Sequence, residues 1–387
     1  MKIVDVAEYY AEEGGGIKTY IHSKMRAGAS RGHEIVVIAP GTHDYEEEKY
    51  GGRIRWVKGP RMPFDARYGV LWNMKKVHRI IDEEAPDILE GSSAWAGGQF
   101  AARWKGSVIR TLIFHQDPVA VIPHTYLDRF ISRKKVDRLF TPIWSYLRGI
   151  SKSYDATIVA GEWLGNRLNE FGVHRPIAVP FGIDKSIFSP AKRSLRKRAE
   201  LLASCSRDKS CPLLLTVSRF HPEKRLKTLF SAVRKINETR PVALVVFGAG
   251  YMSTGLRRFA EQTPGVRLAG YTKDREELAE VYASADLMLH GSAAETFGLG
   301  VAEAICSGLP VIGPSVGGAA DLVSDGCGLL YEPGDASECA AKTLEALNRS
   351  HDSWQSALAR RAQDINTVDQ HFEQLFNVYQ QLIDDRA

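Results

Sequence analysis

Two glutamates, Glu295 and Glu303, stand eight positions apart in HGSAAETFGLGVAEAICSGLPVIGPSVGG, and the stretch between them from Thr296 to Gly300 carries no charge. The segment reads as strand, loop, helix, strand. DLMLHGS ends in small residues, GLGVAEAIC is a helix stopped by Gly308, and Pro310 opens the strand VIGPS. With Thr296 beginning the helix, the amides of Phe297, Gly298 and Leu299 point outward with the positive end of the helix dipole, which favours phosphate. Carboxylates at two distances from such a cradle accept hydrogen bonds from vicinal hydroxyls. A ligand with phosphates in the middle and a hydroxyl-bearing ring at each end has the matching shape, and a nucleotide sugar is one. The blander alternative makes Glu303 a surface helix residue and Glu295 a charge at a helix start.

Two cations bear on that choice. PLLLTVSRF ends in Arg219, and Lys224 follows in HPEKRL. Both fall at the C-terminal edge of a strand, the side on which open parallel sheets bind ligands. There they would neutralise a departing diphosphate, a task otherwise given to a metal ion. No Asp-x-Asp occurs in the sequence, so neither a metal nor another cofactor is expected. In the first half His115 ends the strand VIRTLIFH, where it can orient a sugar or an acceptor hydroxyl and exchange a proton. Asp117 is a weaker candidate that reads equally as a cap of the next turn. Gly14, Gly15 and Gly16 follow the first strand without GxGxxG spacing, and Glu12 and Glu13 before them would repel phosphate. Gly15 and Gly16 are expected to let backbone approach the donor closely; a flexible turn is the alternative.

The elements that position these residues alternate throughout. Short apolar runs separated by amphipathic stretches predict parallel sheets with crossover helices. The first half offers KIVDVAEY, HEIVVIAP, RIRWVKG, PDILEGS, VIRTLIFH, ATIVAG and PIAVPFG, with a helix from Lys18 to Arg31. The second offers PLLLTVSRF, VALVVFGAG, VRLAGY, DLMLHGS, LPVIGPS and CGLLYEP. The expected fold class is therefore α/β, two doubly wound Rossmann-like lobes facing across a cleft. Residues 1–190 form the first lobe and 211–366 the second. The basic stretch 191–210 is expected to link them. From Thr367 the chain predicts a one-sidedly apolar helix through 387 that must pack on a lobe, the first being the candidate.

Composition sets the outer bounds. At 387 residues, 44% hydrophobic and 25% charged, the chain is globular in character. The start MKIVDVAEYY lacks the pattern of a signal peptide, and no eighteen-residue apolar run occurs, so a cytoplasmic protein is expected. Five cysteines without a CxxC pair suit a reducing compartment. A net charge of +5 permits anionic ligands, and no nucleic-acid signature accompanies it. Residues 126–150, YLDRFISRKKVDRLFTPIWSYLRGI, mix basic and aromatic side chains. An ordinary amphipathic helix pair is the commoner meaning, and a lipid-surface patch giving weak peripheral attachment at the inner face of the membrane is the alternative.

Taken together, SRF-HPEKRL, GAG and GYTKDREELAEVYASADLMLHGSAAETFGLGVAEAICSGLPVIGPSVGG resemble the C-terminal lobe of retaining GT-B-fold glycosyltransferases, group 1, also called family 4. The first half resembles it more loosely, through the GGG loop, IFHQD and VPFGID with Phe188. The resemblance implies transfer of a hexose, glucose or mannose, from a nucleotide diphosphate sugar to a hydroxyl of a glycan or glycolipid. It implies that Arg219 and Lys224 hold the diphosphate, that Phe297, Gly298 and Leu299 offer it amides, and that Glu303 holds the ribose. Glu295 would hold the transferred sugar, and Gly270 and Tyr271 lie where the base is contacted. Three positions depart from the family pattern: Ala249 inside the GAG turn, Arg225 after the lysine, where glycine is common, and Asp321 after Gly317-Gly318. A sugar-nucleotide epimerase or phosphorylase of the same fold, and a non-catalytic sugar-binding protein, are the competing readings.

Overall fold

Strands buried on both faces read as continuous apolar runs, and in this chain such runs form two sheets. The computed structural model describes residues 1–11, 15–62, 65–323, 326–350 and 352–386. Glu12, Glu13 and Gly14 lie outside the described residues. The chain divides into two compact units, one of Met1–His115, Phe140–Pro180 and Val368–Ala387, the other of Gln116–Leu139 and Phe181–Thr367.

The first unit carries an eight-stranded sheet in the order Pro176–Ala178, Ala156–Val159, Ile109–Phe114, Ile88–Gly91, Lys2–Val6, Glu34–Gly41, Gly52–Lys58, Tyr45–Lys49. Seven of these strands are the predicted ones and run parallel. Tyr45–Lys49, which reads YEEEK, is an unpredicted antiparallel edge strand on Gly52–Lys58. Its stability comes from its partner: Glu46 lies 3.3 Å from both Arg53 and Arg55, so charges that spoil the apolar pattern become cross-strand pairs.

The second unit carries six parallel strands in the order Val266–Gly270, Ala243–Phe247, Leu213–Val217, Leu287–Leu289, Val311–Pro314, Gly328–Tyr331. All six are predicted by the sequence. From Leu213–Val217 the chain first builds outward on one side and then returns to build on the other. The order therefore reverses between Leu213–Val217 and Leu287–Leu289, and the loops leaving these two strands flank the resulting opening.

The unit boundaries differ from those expected. Residues 191–210 are not a free linker: Leu195–Ser204 is a helix capped by Ser194, which accepts from Lys197 N at 3.1 Å. It buries Leu201 and Leu202, and Arg198 lies 2.8 Å from Asp286. A few apolar positions on one side suffice, and part of the basic run is itself engaged, with Arg198 also donating to Ser284 O and Cys211 O. The second unit also begins earlier, at Phe181. Ile183 N donates to Asn366 O at 2.8 Å, and the Phe188 ring meets Tyr282 edge-on. Residues 116–139, assigned by sequence to the first lobe, belong to the second unit because the Asp128 carboxylate pairs with Arg225.

The C-terminal helix is Val368–Asp384 and belongs to the first unit. It buries Phe372, Leu375, Phe376, Tyr379 and Leu382 in a core shared with Ile3, Met25 and Ile35. Each such side chain contributes about 1.5–3 kcal/mol of burial. The helix also closes a charged cluster. Lys24 of the helix Gly16–Ala29 is 1% exposed and pairs with Asp5 at 2.9 Å and with Glu90, whose carboxylate accepts from the Tyr379 hydroxyl. Burial pushes the Glu90 carboxyl up more strongly than Lys24 draws it down. No helix among the described residues is long and apolar enough to cross a membrane.

Breaking a buried ion pair from one side leaves charge without compensation, at a cost of about 3–5 kcal/mol. Lys24→Met should therefore lower the unfolding free energy by that amount in urea denaturation. A loss within about 1 kcal/mol would show that the cluster does not hold this core together.

Candidate functional site

At the reversal of the second sheet the loop after Leu213–Val217 supplies Arg219 and Lys224, and the loop after Leu287–Leu289 supplies His290 and Glu295. The first loop is braced by the GAG turn. A Cβ on Gly248 would stand 1.8 Å from Ser218 O, so only glycine lets that turn approach, and Phe220 N donates to Ala249 O at 2.9 Å. Ala249 thus serves through its backbone, which explains why its side chain can depart from the family pattern.

Lys224 Nζ donates to Glu295 Oε1. Burial alone would raise the Glu295 carboxyl, but Lys224, His290 and Arg219 outweigh it and hold it down to about 2. Arg219 is largely exposed, 3.8 Å from Glu223. The expected pair of cations on one phosphate is thus one cation already held by a carboxylate and one reaching into solvent. His290, which sequence reasoning missed, is buried with Nε2 3.9 Å from Glu295. Among the described residues that nitrogen has no hydrogen-bond partner. Its signal was a histidine at a strand's C-terminal end, the same signal that singled out His115.

The helix carrying Glu303 is Leu299–Cys306 and does not begin at Thr296. Gly298, at φ 96°, precedes it in the left-handed region, and Val301 N and Ala302 N both donate to Gly298 O. The first-turn amides ahead of these are those of Leu299 and Gly300, so the cradle is shifted along the chain from Phe297. Phe297 is buried, its ring edge-on to Phe181, and Leu299 is exposed. Gly318 N donates to Glu295 O at 2.7 Å and fixes the loop from behind.

Glu303 is not a surface charge. It is 9% exposed, 3.1 Å from Arg275 and 3.3 Å from the Tyr282 hydroxyl, which donates to it. Burial pushes its carboxyl up against the pull of Arg275 and Tyr282. Gly270 ends its strand at φ 84° with open space where a side chain would be, and Tyr271 is exposed beside it.

Of the remaining predicted residues, Gly15, Gly16 and His115 lie in the first unit. Gly15 and Gly16 begin the helix Gly16–Ala29, and a Cβ on either would meet nothing within 4 Å. His115 follows Ile109–Phe114, its ring edge-on to Tyr20 at 5.7 Å. Burial, against the charge of Asp5, holds its imidazole down to about 4. Asp117, in the second unit, accepts from Val119 N at 2.8 Å and Ala120 N at 2.9 Å, the capping role the sequence allowed.

Residues 14–187 match the model of Glycosyltransferase Family 4, and residues 211–349 that of Glycosyl transferases group 1. The chain belongs to the group 1, family 4 glycosyltransferases. It is 29% identical to a sulfoquinovosyl transferase of Arabidopsis thaliana over 86% of this chain and 64% of that protein. It is 28% identical to a GDP-mannose-dependent alpha-mannosyltransferase of Corynebacterium glutamicum over 89% of this chain and 80% of that protein. A sucrose-phosphate synthase of Thermosynechococcus elongatus shares its fold at a TM-score of 0.74, with 20% identity over 99% of both chains. A glycosyltransferase of Rickettsia africae does so at 0.73, with 16% identity over 99% of this chain and 98% of that one. The two parallel-sheet units are those of the GT-B fold, and the enzyme is a hexosyltransferase.

In this glycosyltransferase His290 is held down to about 4 by burial first, with Lys224 adding to it and Glu295 opposing. An unfolded imidazole titrates near 6.5, so between about 4 and 6.5 the unfolded chain binds more protons than the folded one. The stabilisation is complete above that window and is lost as pH falls through it. Thermal unfolding followed from about pH 7.5 to about 4.5 should show a falling midpoint, and His290→Gln should flatten the slope. A variant with an unchanged slope would remove His290 from this account.

Proposed function

We propose that the enzyme transfers glucose or mannose from a nucleotide diphosphate sugar to a hydroxyl of a glycolipid or glycan, with retention and without a metal. The observation that carries this reading is the Lys224–Glu295 pair beside Arg219 at the sheet reversal. An incoming diphosphate competes with Glu295 for Lys224. Lys224 and Arg219 then face phosphate oxygens together with the Leu299 and Gly300 amides, and Glu295 is released to accept hydrogen bonds from the sugar hydroxyls. Glu303, presented by Arg275 and Tyr282, takes the ribose hydroxyls. Gly270 and Tyr271 are assigned to the base.

In the step itself the acceptor oxygen bonds to the anomeric carbon as the bond from that carbon to the phosphate oxygen breaks. The diphosphate leaves with the electron pair and takes the acceptor's proton. Attack from the leaving-group face retains configuration, and neither glutamate forms a covalent bond. Two full positive charges on the departing group do the work a divalent ion does elsewhere. His115, neutral near pH 7, offers a hydrogen bond to a hydroxyl rather than a charge. GDP-mannose is the favoured donor because several relatives are GDP-mannose-dependent mannosyltransferases. One of them, from Mycobacterium tuberculosis, is named for a phosphatidylinositol dimannoside, which favours a glycolipid acceptor presented at a membrane surface.

A thermal-shift panel of GDP, UDP, GDP-mannose and UDP-glucose tests donor binding, since a ligand of the native state raises its stability with concentration. GDP or GDP-mannose should raise the midpoint; no shift with any of the four would sink the reading. Lys224→Ala and Glu295→Ala should each lower kcat about 10²–10³-fold, as expected for groups acting on developing charge. Unchanged turnover in both variants would exclude the proposed roles.

A further inference from the structure

Residues 120–139 form a short helical arm of the second unit whose two faces differ in kind. The π-helical Ala120–His124 runs into the turn Thr125–Leu127, and the helical hydrogen bonding continues through Ile131 N, which donates to Leu127 O at 3.1 Å. At spacings of four, Ile122, Tyr126 and Phe130 fall on one side of this run and are 61%, 52% and 70% exposed. Ala120, Pro123 and His124 are buried on the other. The helix Arg133–Leu139 repeats the division: Val136 and Asp137 are buried, while Lys134, Lys135, Arg138 and Leu139 are exposed.

Charge is sorted in the same way. The arm holds five basic residues, Arg129, Arg133, Lys134, Lys135 and Arg138, against two acids, Asp128 and Asp137. Both acids are turned inward. Asp128 pairs with Arg225 and, at 3.2 Å, with Arg133; Asp137 meets His124 Nε2 at 3.0 Å. The exposed face carries large apolar side chains together with Arg129, Lys134, Lys135 and Arg138, and the Arg129 guanidinium lies 4.5 Å over the Phe130 ring. Arg225, which anchors the arm, directly follows Lys224. The boundary between acyl chains and anionic headgroups matches the apolar stripe and the charge at once.

We propose that this face docks on an anionic lipid surface, with Ile122, Tyr126 and Phe130 entering the headgroup region and Arg129, Lys134, Lys135 and Arg138 facing lipid phosphates. This deepens the reading of a membrane-presented acceptor. Its failure would leave nucleotide binding by the second unit untouched, so the two can be told apart.

The test is co-sedimentation of the full chain with phosphatidylcholine vesicles with and without phosphatidylglycerol. The wild type should pellet with the anionic vesicles only and be released by high salt, which screens headgroup attraction. Ile122→Ser/Tyr126→Ser/Phe130→Ser and Lys134→Glu/Lys135→Glu should each weaken binding about tenfold or more while keeping the wild-type thermal shift with nucleotide. Equal binding by variants and wild type, or no binding by wild type, would overturn the proposal. So would a concentration-dependent dimer of the wild type that the apolar variant abolishes, which would assign the face to a second copy of the chain.

Discussion

In the proposed reaction a lysine and a glutamate that hold each other's charge, Lys224 and Glu295, set what the second unit can bind. Each is an expensive group to leave alone where water is scarce. Here they solve that problem for one another, and Arg219 adds positive charge near the same carboxylate. A neutral ligand entering here would have to separate two opposite charges and offer neither a replacement. A dianionic diphosphate attached to a polyhydroxyl ring offers both, anions for Lys224 and hydrogen-bond donors for Glu295. On the proposed reading the pair therefore favours a ligand with the two functions joined.

The pair exists because of where the sheet reverses. Lys224 and Glu295 are 71 residues apart in the chain, and Glu303 and Arg275 are 28 apart. They meet because adjacent parallel strands end at the same level, and the loop leaving Leu213–Val217 is short of space there. Glycines supply it, as at Gly248 against Ser218 O. The left-handed turn at Gly298 then aims the helix Leu299–Cys306 so that Glu303 turns inward toward Tyr282 while Leu299 stays outside.

Much of this was legible in the sequence, for a definite reason. A strand buried on both faces needs an unbroken apolar run, and all thirteen predicted runs became parallel strands of the two sheets. Arg219, Lys224 and Glu295 could be picked out because they follow the ends of such runs. What escaped depended on partners remote in sequence. YEEEK has no apolar pattern and forms a strand only because Arg53 and Arg55 lie opposite. Glu303 was picked out by its spacing from Glu295, but its partners Arg275 and Tyr282 were not. The start of its helix was misplaced because Thr296 has the composition of a cap, whereas the chain there turns through Gly298. Leu195–Ser204 looked like a linker because its few apolar residues are hidden among basic ones.

Arg225 shows how one such departure can carry meaning. It sits at φ 47°, a left-handed conformation that suits the glycine common at this position and costs a residue with a Cβ roughly 1–2 kcal/mol. A chain that keeps a side chain there must recover the cost through what the side chain does. Here the guanidinium reaches Asp128, and its Nη2 also lies 3.5 Å from His124 O. Those contacts draw residues 116–139 into the second unit, although the strands before and after them belong to the first. The backbone strain and the arm's position are thus one fact. Because Lys224 is the preceding residue, the anchor of the arm and the Lys224–Glu295 pair share one turn of the chain.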